Sequence, residues 1–152
     1  MKNVCLRTLS GFLLLLPALA AQPGFHAQFV GGTLPGISAK SYARLDLAGS
    51  DALTLRSGAV EVHIDYGKIN SLEYGQNVSR RYLAAVLISP VLLLSKSRKH
   101  FLTVGYQDTE GNQQVLVFRM EKGDIRSVLA SLEARTGRRV EFQDDEARKG
   151  SR

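Results

Sequence analysis

Apolar and polar residues alternate along the chain between residues 42 and 66, and this pattern, with the apolar Ile69, Leu72 and Tyr74 that follow, predicts a series of strands. Strict alternation with a period of two places one face of each strand in a core and the other in water. Short runs rich in Gly, Ser and Asp separate the alternating stretches, and such gaps favour antiparallel turns over helical crossovers. The predicted strands of this part cover residues 42–48, 53–56, 60–66 and 69–74.

A β-hairpin is predicted further along the chain. Residues 101–106 and 115–120 are rich in β-branched and aromatic residues, and the turn-forming stretch 108–112 joins them. Two such runs linked by a short turn sequence are typical of a hairpin.

An amphipathic helix is predicted directly after this hairpin. Its apolar residues recur at i, i+3, i+4 and i+7, which places them on one helical face; they are Ile125, Val128, Leu129 and Leu132. Asp124 is the expected N-cap, and Gly137 is expected to end the helix. Residues 138–142 can add a short strand.

Strands in series followed by a helix predict an α+β fold. We expect antiparallel strands that form a strongly bent sheet or open barrel, capped by one C-terminal amphipathic helix. The predicted domain covers residues 42–142, and a charged tail of mixed sign follows at residues 143–152.

The strand pattern resembles that of GRAM-like and bacterial pleckstrin-homology-like domains. The stretch Ile64-Asp65-Tyr66-Gly67-Lys68-Ile69 matches the pattern I-x-Y-x-x-I that follows a light strand in those domains. The resemblance covers residues 42–136 and implies a final hairpin and a C-terminal helix. The chain departs from it in an apolar block at residues 82–94 and in its N-terminus. Phosphoinositide binding is not implied, because no matching basic loop joins the first two predicted strands.

The N-terminus has the three parts of a secretory signal, which we place at residues 1–21. Lys2 and Arg7 are basic, residues 11–17 are apolar, and Ala18-Leu19-Ala20 is a small-x-small cleavage site. The apolar run is shorter than the roughly 20 residues that span a bilayer. We therefore expect export to a bacterial periplasm or exterior. Residues 22–41, rich in Gly, Pro and Ala, are expected to form a flexible lead-in.

Composition excludes several kinds of chemistry. The only cysteine is Cys5, so cleavage leaves no thiol for disulfides, a disulfide-linked partner, a nucleophile or a thiolate metal site. Loss of Lys2 and Arg7 lowers the formal net charge from +6 to +4. A balance of this size does not indicate a nucleic-acid partner. No cofactor is predicted.

The most unusual segment is the apolar block at residues 82–94, which basic residues bound on both sides. These basic residues are Arg80, Arg81, Lys96, Arg98 and Lys99. In one interpretation the segment is a surface for an anionic membrane or a protein partner. In the other, which we favour, residues 82–88 pack on the core as a short helix that Pro90 ends, and residues 91–94 continue as a buried strand.

A second candidate site is the polar face of the third predicted strand. Glu61, His63 and Asp65 are two residues apart and therefore share a face, which suits a metal or an acid–base pair. The interpretation that we favour is a solvated strand face with alternating charge, because His26 and His100 have no recognisable ligand spacing.

These observations favour an exported, non-catalytic binding or interaction module of the bacterial envelope. The alternative is a small ligand-binding barrel or minor enzyme that uses the Glu61, His63 and Asp65 face. A pocket ringed by those side chains would favour the alternative, and a flat solvated face would favour the binding module.

Overall fold

The computed structural model describes residues 24–78, 99–143 and 148–149. The predicted signal at residues 1–21, the apolar block at residues 82–94, and most of the charged tail lie outside these ranges. The elements are β1 (Phe25–Gly32), β2 (Tyr42–Asp46), β3 (Ala52–Ser57), β4 (Val60–Asp65), a 3-10 turn (Tyr66–Lys68), β5 (Ile69–Gly75), β6 (His100–Gln107), β7 (Gln113–Met120), α1 (Lys122–Thr136) and β8 (Glu141–Phe142).

The eight strands form one open sheet in the order β4-β3-β2-β1-β7-β6-β5-β8. Strands β2 to β4 make one antiparallel meander and strands β5 to β7 make another. Strand β1 joins them by pairing antiparallel with both β2 and β7. Only the short β8 runs parallel to its neighbour, β5. The predicted α+β class with mostly antiparallel strands and a C-terminal helix is confirmed.

The expected flexible lead-in at residues 22–41 is wrong for its central part. Residues Phe25–Gly32 form β1, in the middle of the sheet, so the folded domain begins well before residue 42. Ala27 and Phe29 face the core, and the polar His26 and Gln28 alternate with them, as polar residues do in β2 and β3. Gly32 ends the strand where a Cβ would lie 2.7 Å from the Val115 carbonyl oxygen. Glycine here permits a close backbone approach rather than flexibility.

Helix α1 covers one face of the sheet. Its buried residues are the predicted Ile125, Val128, Leu129 and Leu132, each at most 5% exposed. They join alternate strand residues in the main core cluster, for example Leu102 and Val104 of β6. The predicted amphipathic face of the helix is therefore confirmed.

The two ends of α1 differ in how well the sequence predicts them. The helix begins at Lys122, and Glu121 is its N-cap residue, without a capping side-chain bond. Asp124 lies in the first turn rather than at the N-cap, where its charge still complements the helix dipole. Gly137 ends the helix as predicted, in the left-handed conformation with φ of 67°. Its N–H donates to the Glu133 carbonyl oxygen at 3.0 Å.

A second, smaller apolar cluster lies on the opposite face of the sheet. Its members are Val30, Val78, Phe101, Val115 and Val117. Consecutive side chains of a strand point to opposite faces. Because both faces are buried here, residues 115–118 of β7 are an unbroken apolar run.

No helix in the described part of the chain is long and apolar enough to cross a membrane.

Candidate functional site

A surface cleft of about 900 Å³ lies at the end of the sheet where β1 and β6 begin and β7 ends. Helix α1 starts beside it, so these elements converge on one concave surface. Its lining residues are His26, Ala27, Gln28, Tyr42, Gln76, Lys99, His100, Arg119, Met120, Glu121, Lys122 and Lys149.

The cleft carries an excess of positive charge. Among the residues that the structure describes, Lys99, Arg119, Lys122 and Lys149 line it together with one carboxylate, that of Glu121. The start of α1 adds the positive end of a helix dipole near Lys122. Clustered charge of one sign in a concave surface raises the local concentration of oppositely charged groups. The arrangement therefore attracts anions.

Strand pairing places Arg119 in the cleft. Arg119 of β7 lies opposite Gln28 of β1 in the sheet register, and its Nη1 lies 3.5 Å from the Gln28 Oε1. Gln28 in turn donates through its Nε2 to the Lys40 carbonyl oxygen at 3.2 Å. These contacts orient the guanidinium, and Arg119 remains exposed.

The half-buried His100 lies at the inner wall of the cleft, and the buried Tyr74 lies behind it. The Tyr74 hydroxyl and the His100 Nδ1 form a short hydrogen bond. Burial, and secondarily the charge of Lys122, lowers the pKa of His100 below its ordinary value of 6.5. A neutral imidazole has one donor and one acceptor. When Tyr74 donates to Nδ1, Nε2 carries the proton and is a neutral hydrogen-bond donor.

Tyr42 lies at the edge of the cleft with 84% of its surface exposed. It is the most conspicuous exposed aromatic residue in the described part of the chain. An exposed tyrosine combines a large apolar ring with a polar hydroxyl, a combination that is enriched where proteins contact partners.

The structure describes only one of the five basic residues predicted to form a partner surface. Lys99 lines the cleft, immediately before β6. Arg80, Arg81, Lys96 and Arg98 lie outside the described residues. The predicted surface and the observed cleft therefore share Lys99.

The strand face that carries Glu61, His63 and Asp65 is exposed. Side chains of the neighbouring strand β3 contact Glu61 and His63. Glu61 accepts from the Arg56 Nε at 2.9 Å and lies 3.3 Å from the His63 Nε2. Thr54 lies opposite His63, with 3.0 Å between its hydroxyl and the His63 Nδ1.

The two best-formed cavities in the described part of the chain lie elsewhere. Neither is lined by Glu61, His63 or Asp65. Within residues 24–78, 99–143 and 148–149, no cluster of three His, Cys, Asp or Glu residues is placed to hold a metal ion. The geometry agrees with the solvated face that the sequence favoured.

Sequence reasoning missed most of the cleft. Arg119 and Lys122 are more than 75 residues from His26 and Gln28 in the chain, and only the pairing of β1 with β7 brings them together. The one available signal was Lys99, which belonged to the predicted basic segment. Most of the other lining residues are single positions in or next to the ends of strands.

The chain matches no protein-family model and no curated protein sequence.

Proposed function

We propose that this protein is an exported, non-catalytic binding module of the bacterial envelope that binds anionic groups in the cleft at Arg119 and Lys122. The observation that carries the proposal is that four cationic side chains and one carboxylate, among the described residues, line a concave surface of about 900 Å³. The anionic groups are acidic side chains of a partner protein or phosphates of anionic lipid, which offer the same charge to the cleft.

The basic segment of the sequence supports this proposal through its one described residue. Lys99 lines the cleft, and Arg98 is bonded directly to it. The predicted partner surface and the cleft therefore have Lys99 in common.

A pleckstrin-homology-like fold is part of the same proposal. Two antiparallel meanders, a final hairpin of β6 and β7, and the C-terminal α1 follow the order that the resemblance implies. The motif-bearing Ile64 and Ile69 are both buried in the main core. Such a scaffold places its binding residues at strand ends and loops, where Lys99 and Lys122 lie.

Export rests on the N-terminal sequence. Lys2, the apolar residues 11–17 and Ala18-Leu19-Ala20 have the order of a secretory signal. A mature chain without cysteine fits a domain that is stabilised by its apolar core rather than by disulfides.

The alternative function, a ligand-binding barrel or minor enzyme using Glu61, His63 and Asp65, has weaker support. Glu61 pairs with Arg56 and His63 with Thr54 on an exposed strand face. None of the three side chains lines either of the two best-formed cavities of the described residues.

Binding measurements on the mature domain test the proposal. The domain is titrated at low salt with polyglutamate and, separately, with vesicles of phosphatidylglycerol in phosphatidylcholine. We expect binding to at least one, weakening with salt because surface charges are screened within about 10 Å at 0.1 M ionic strength. Replacing Arg119 or Lys122 singly by Gln should weaken binding about two- to fivefold, because this change in affinity corresponds to the free energy that one exposed ion pair contributes.

Lys68→Gln is the matched control. Lys68 is exposed and contacts the Asp108 carbonyl oxygen at 3.4 Å, at the far end of the β6–β7 hairpin from the cleft. It should bind like the wild type. Binding to polyglutamate alone identifies a protein partner, and binding to anionic vesicles alone identifies a lipid partner. No binding to either probe at low salt, or equal losses for Lys68→Gln and Arg119→Gln, would overturn the proposal.

A further inference from the structure

The inner wall of the cleft places the polar ring of His100 beside an apolar floor. His100 of β6 lies opposite Met120 of β7 in the sheet register, and Met120 also lies opposite Ala27 of β1. Met120 and Ala27 are buried, yet both line the cleft. Residues directly opposite on neighbouring strands point to the same face of a sheet. The imidazole therefore lies next to an apolar surface, where a hydrogen bond is electrostatically stronger than in water.

Tyr74 determines which nitrogen of this ring faces the cleft. Its hydroxyl is bonded to Nδ1 of His100, and Phe142 of β8 packs edge-on against the Tyr74 ring, with 6.0 Å between the centroids. Nε2 of His100 has no hydrogen-bond partner in the described part of the chain. The Tyr66 hydroxyl is the only side-chain nitrogen or oxygen there that is both buried and unpaired, so Nε2 is open to the solvent of the cleft.

The bond to Tyr74 also decides where the proton of His100 lies. A phenol hydroxyl is a better donor than an imidazole N–H, and an imidazole nitrogen is a better acceptor than a phenol oxygen. The Tyr74 hydroxyl therefore donates to Nδ1, and the proton of the neutral ring is on Nε2. Burial, and then the charge of Lys122, lower the pKa of His100, which keeps the ring neutral at neutral pH.

We propose that Nε2 of His100 donates a hydrogen bond to an oxygen of the anion bound in the cleft, so that His100 is a binding residue and Tyr74 its positioning residue. The bound group is then an oxyanion, either a carboxylate or a phosphate, because both offer the acceptor oxygen that an N–H donor requires. This inference rests on the proposed function of the cleft and names a residue that recognises the anion.

The proposed hydrogen bond couples anion binding to a proton. A negative charge next to His100 favours the imidazolium, so binding raises the pKa of His100 and takes up a proton from the solvent. The affinity then rises as the pH falls, because the effects of the proton and the anion on each other are reciprocal. In the charged ring Nδ1 donates to the Tyr74 oxygen, and Nε2 still donates to the ligand.

Other charged and titratable side chains face His100 from the elements around it. Within the described residues, β1 contributes His26, β7 contributes Arg119, and the start of α1 contributes Glu121 and Lys122. Lys99 and Lys149 complete the charged lining. Histidine is the side chain whose ordinary titration lies between pH 5 and pH 8. A test must therefore separate His100 from His26.

Replacing each of the three histidines of the chain by Gln makes this separation. Gln keeps an uncharged N–H donor and cannot take up a proton. Binding of the mature domain is measured at pH 7.5 and pH 5.5 with phosphatidylglycerol vesicles and, separately, with polyaspartate, whose carboxylates stay ionised at both pH values. We expect the affinity of the wild type to rise about fivefold at the lower pH, because charge-assisted hydrogen bonds are roughly twice as strong as neutral ones.

The variants should differ in this rise. His100→Gln should lose it, whereas His26→Gln, in the cleft, and the matched control His63→Gln, on the exposed face of β4, should keep it. Binding to vesicles alone identifies a phosphate ligand, and binding to polyaspartate alone identifies a carboxylate. A rise that persists in His100→Gln, or binding without any rise in the wild type, would overturn this inference and leave the proposed function standing. No binding to either probe at either pH would overturn both.

Nitrogen NMR of the wild-type imidazoles decides the case in which His100→Gln changes the fold. The ring nitrogen signals of free His100 should show the proton on Nε2. At constant pH, saturation with the anion that binds, polyaspartate or dissolved short-chain phosphatidylglycerol, should move these signals towards the charged form and leave those of His63 unchanged. A proton on Nδ1 in the free protein, or His100 signals that do not respond to saturation, would overturn the proposal.

Discussion

The rings of Tyr74 and His100 lie parallel, with 2° between their planes and 5.9 Å between their centroids. Tyr74 pairs with Leu102 in the β5–β6 register, so His100 is its diagonal neighbour on the same face of the sheet. The hydrogen bond between the Tyr74 hydroxyl and the His100 Nδ1 therefore connects the fully buried core to the inner wall of the cleft.

This relationship predicts a pH-dependent stability. Burial lowers the pKa of His100 below 6.5 in the folded chain. His100 therefore binds a proton more readily in the unfolded chain than in the folded chain. The stability that depends on neutral His100 is fully present above its ordinary pKa, and it is lost as the pH falls towards the pKa that His100 has in the folded chain. Urea unfolding measures the free energy of unfolding at pH 7.5 and at pH 5. From the higher to the lower pH, this free energy should fall less for His100→Gln than for the wild type. Equal losses would show that His100 does not contribute.

Two buried tyrosines should respond in opposite ways to loss of their hydroxyls. The Tyr66 hydroxyl is buried without a hydrogen-bond partner among the residues that the structure describes. Tyr66→Phe should therefore raise the free energy of unfolding by about 1 kcal/mol, since an unsatisfied buried group costs about 1–3 kcal/mol. Tyr74→Phe removes the bond to His100 and should lower it by about 1 kcal/mol. Chemical denaturation of both variants measures the difference, and destabilisation by Tyr66→Phe would contradict the prediction.

Helix α1 should contribute strongly to stability through its buried face. Leu129→Ala should lower the free energy of unfolding by about 2–5 kcal/mol, because it removes a buried side chain and leaves a cavity. Arg126→Ala, at an exposed position of the same helix, should change it by less than about 0.5 kcal/mol. Denaturant melts compare the two variants. A change near zero for Leu129→Ala would mean that the helix does not seal the core.

Export predicts a defined mature N-terminus. The small-x-small site at Ala18-Leu19-Ala20 should be cut after Ala20 or Ala21. N-terminal sequencing of protein from the periplasmic or culture fraction should then begin at Ala21 or Gln22. An intact Met1 on a cytoplasmic product would refute this.

The basic residues before β6 should contribute to binding and not to folding. Replacing Arg98 and Lys99 together with Gln should weaken sedimentation with phosphatidylglycerol vesicles if lipid is the partner, since each such charge contributes about 1 kcal/mol near an anionic surface. The thermal midpoint should stay almost unchanged, because solvated charges contribute little to folding. A large fall in the midpoint would show that these side chains are structural.

The amino-acid sequence by itself determined the elements whose signal is local. Alternation predicted β2 to β4, β-branched and aromatic runs around a turn predicted the β6–β7 hairpin, and helical spacing predicted the apolar face of α1 around Leu129. Gly137 predicted the helix end. In each, the spacing of apolar residues within a few turns or strand positions decides which side faces the core.

Tertiary structure alone decided what depends on long-range pairing. Phe25–Gly32 looked flexible because of its glycines, yet β1 is held by neighbours on both sides, and the backbone contact at Gly32 needs a residue without a side chain. The cleft likewise exists because β1 pairs with β7 and places Arg119 beside Gln28, some 90 residues apart in the chain. Neither position carries a local signal, since the interactions that define it come from strands that the sequence does not place side by side.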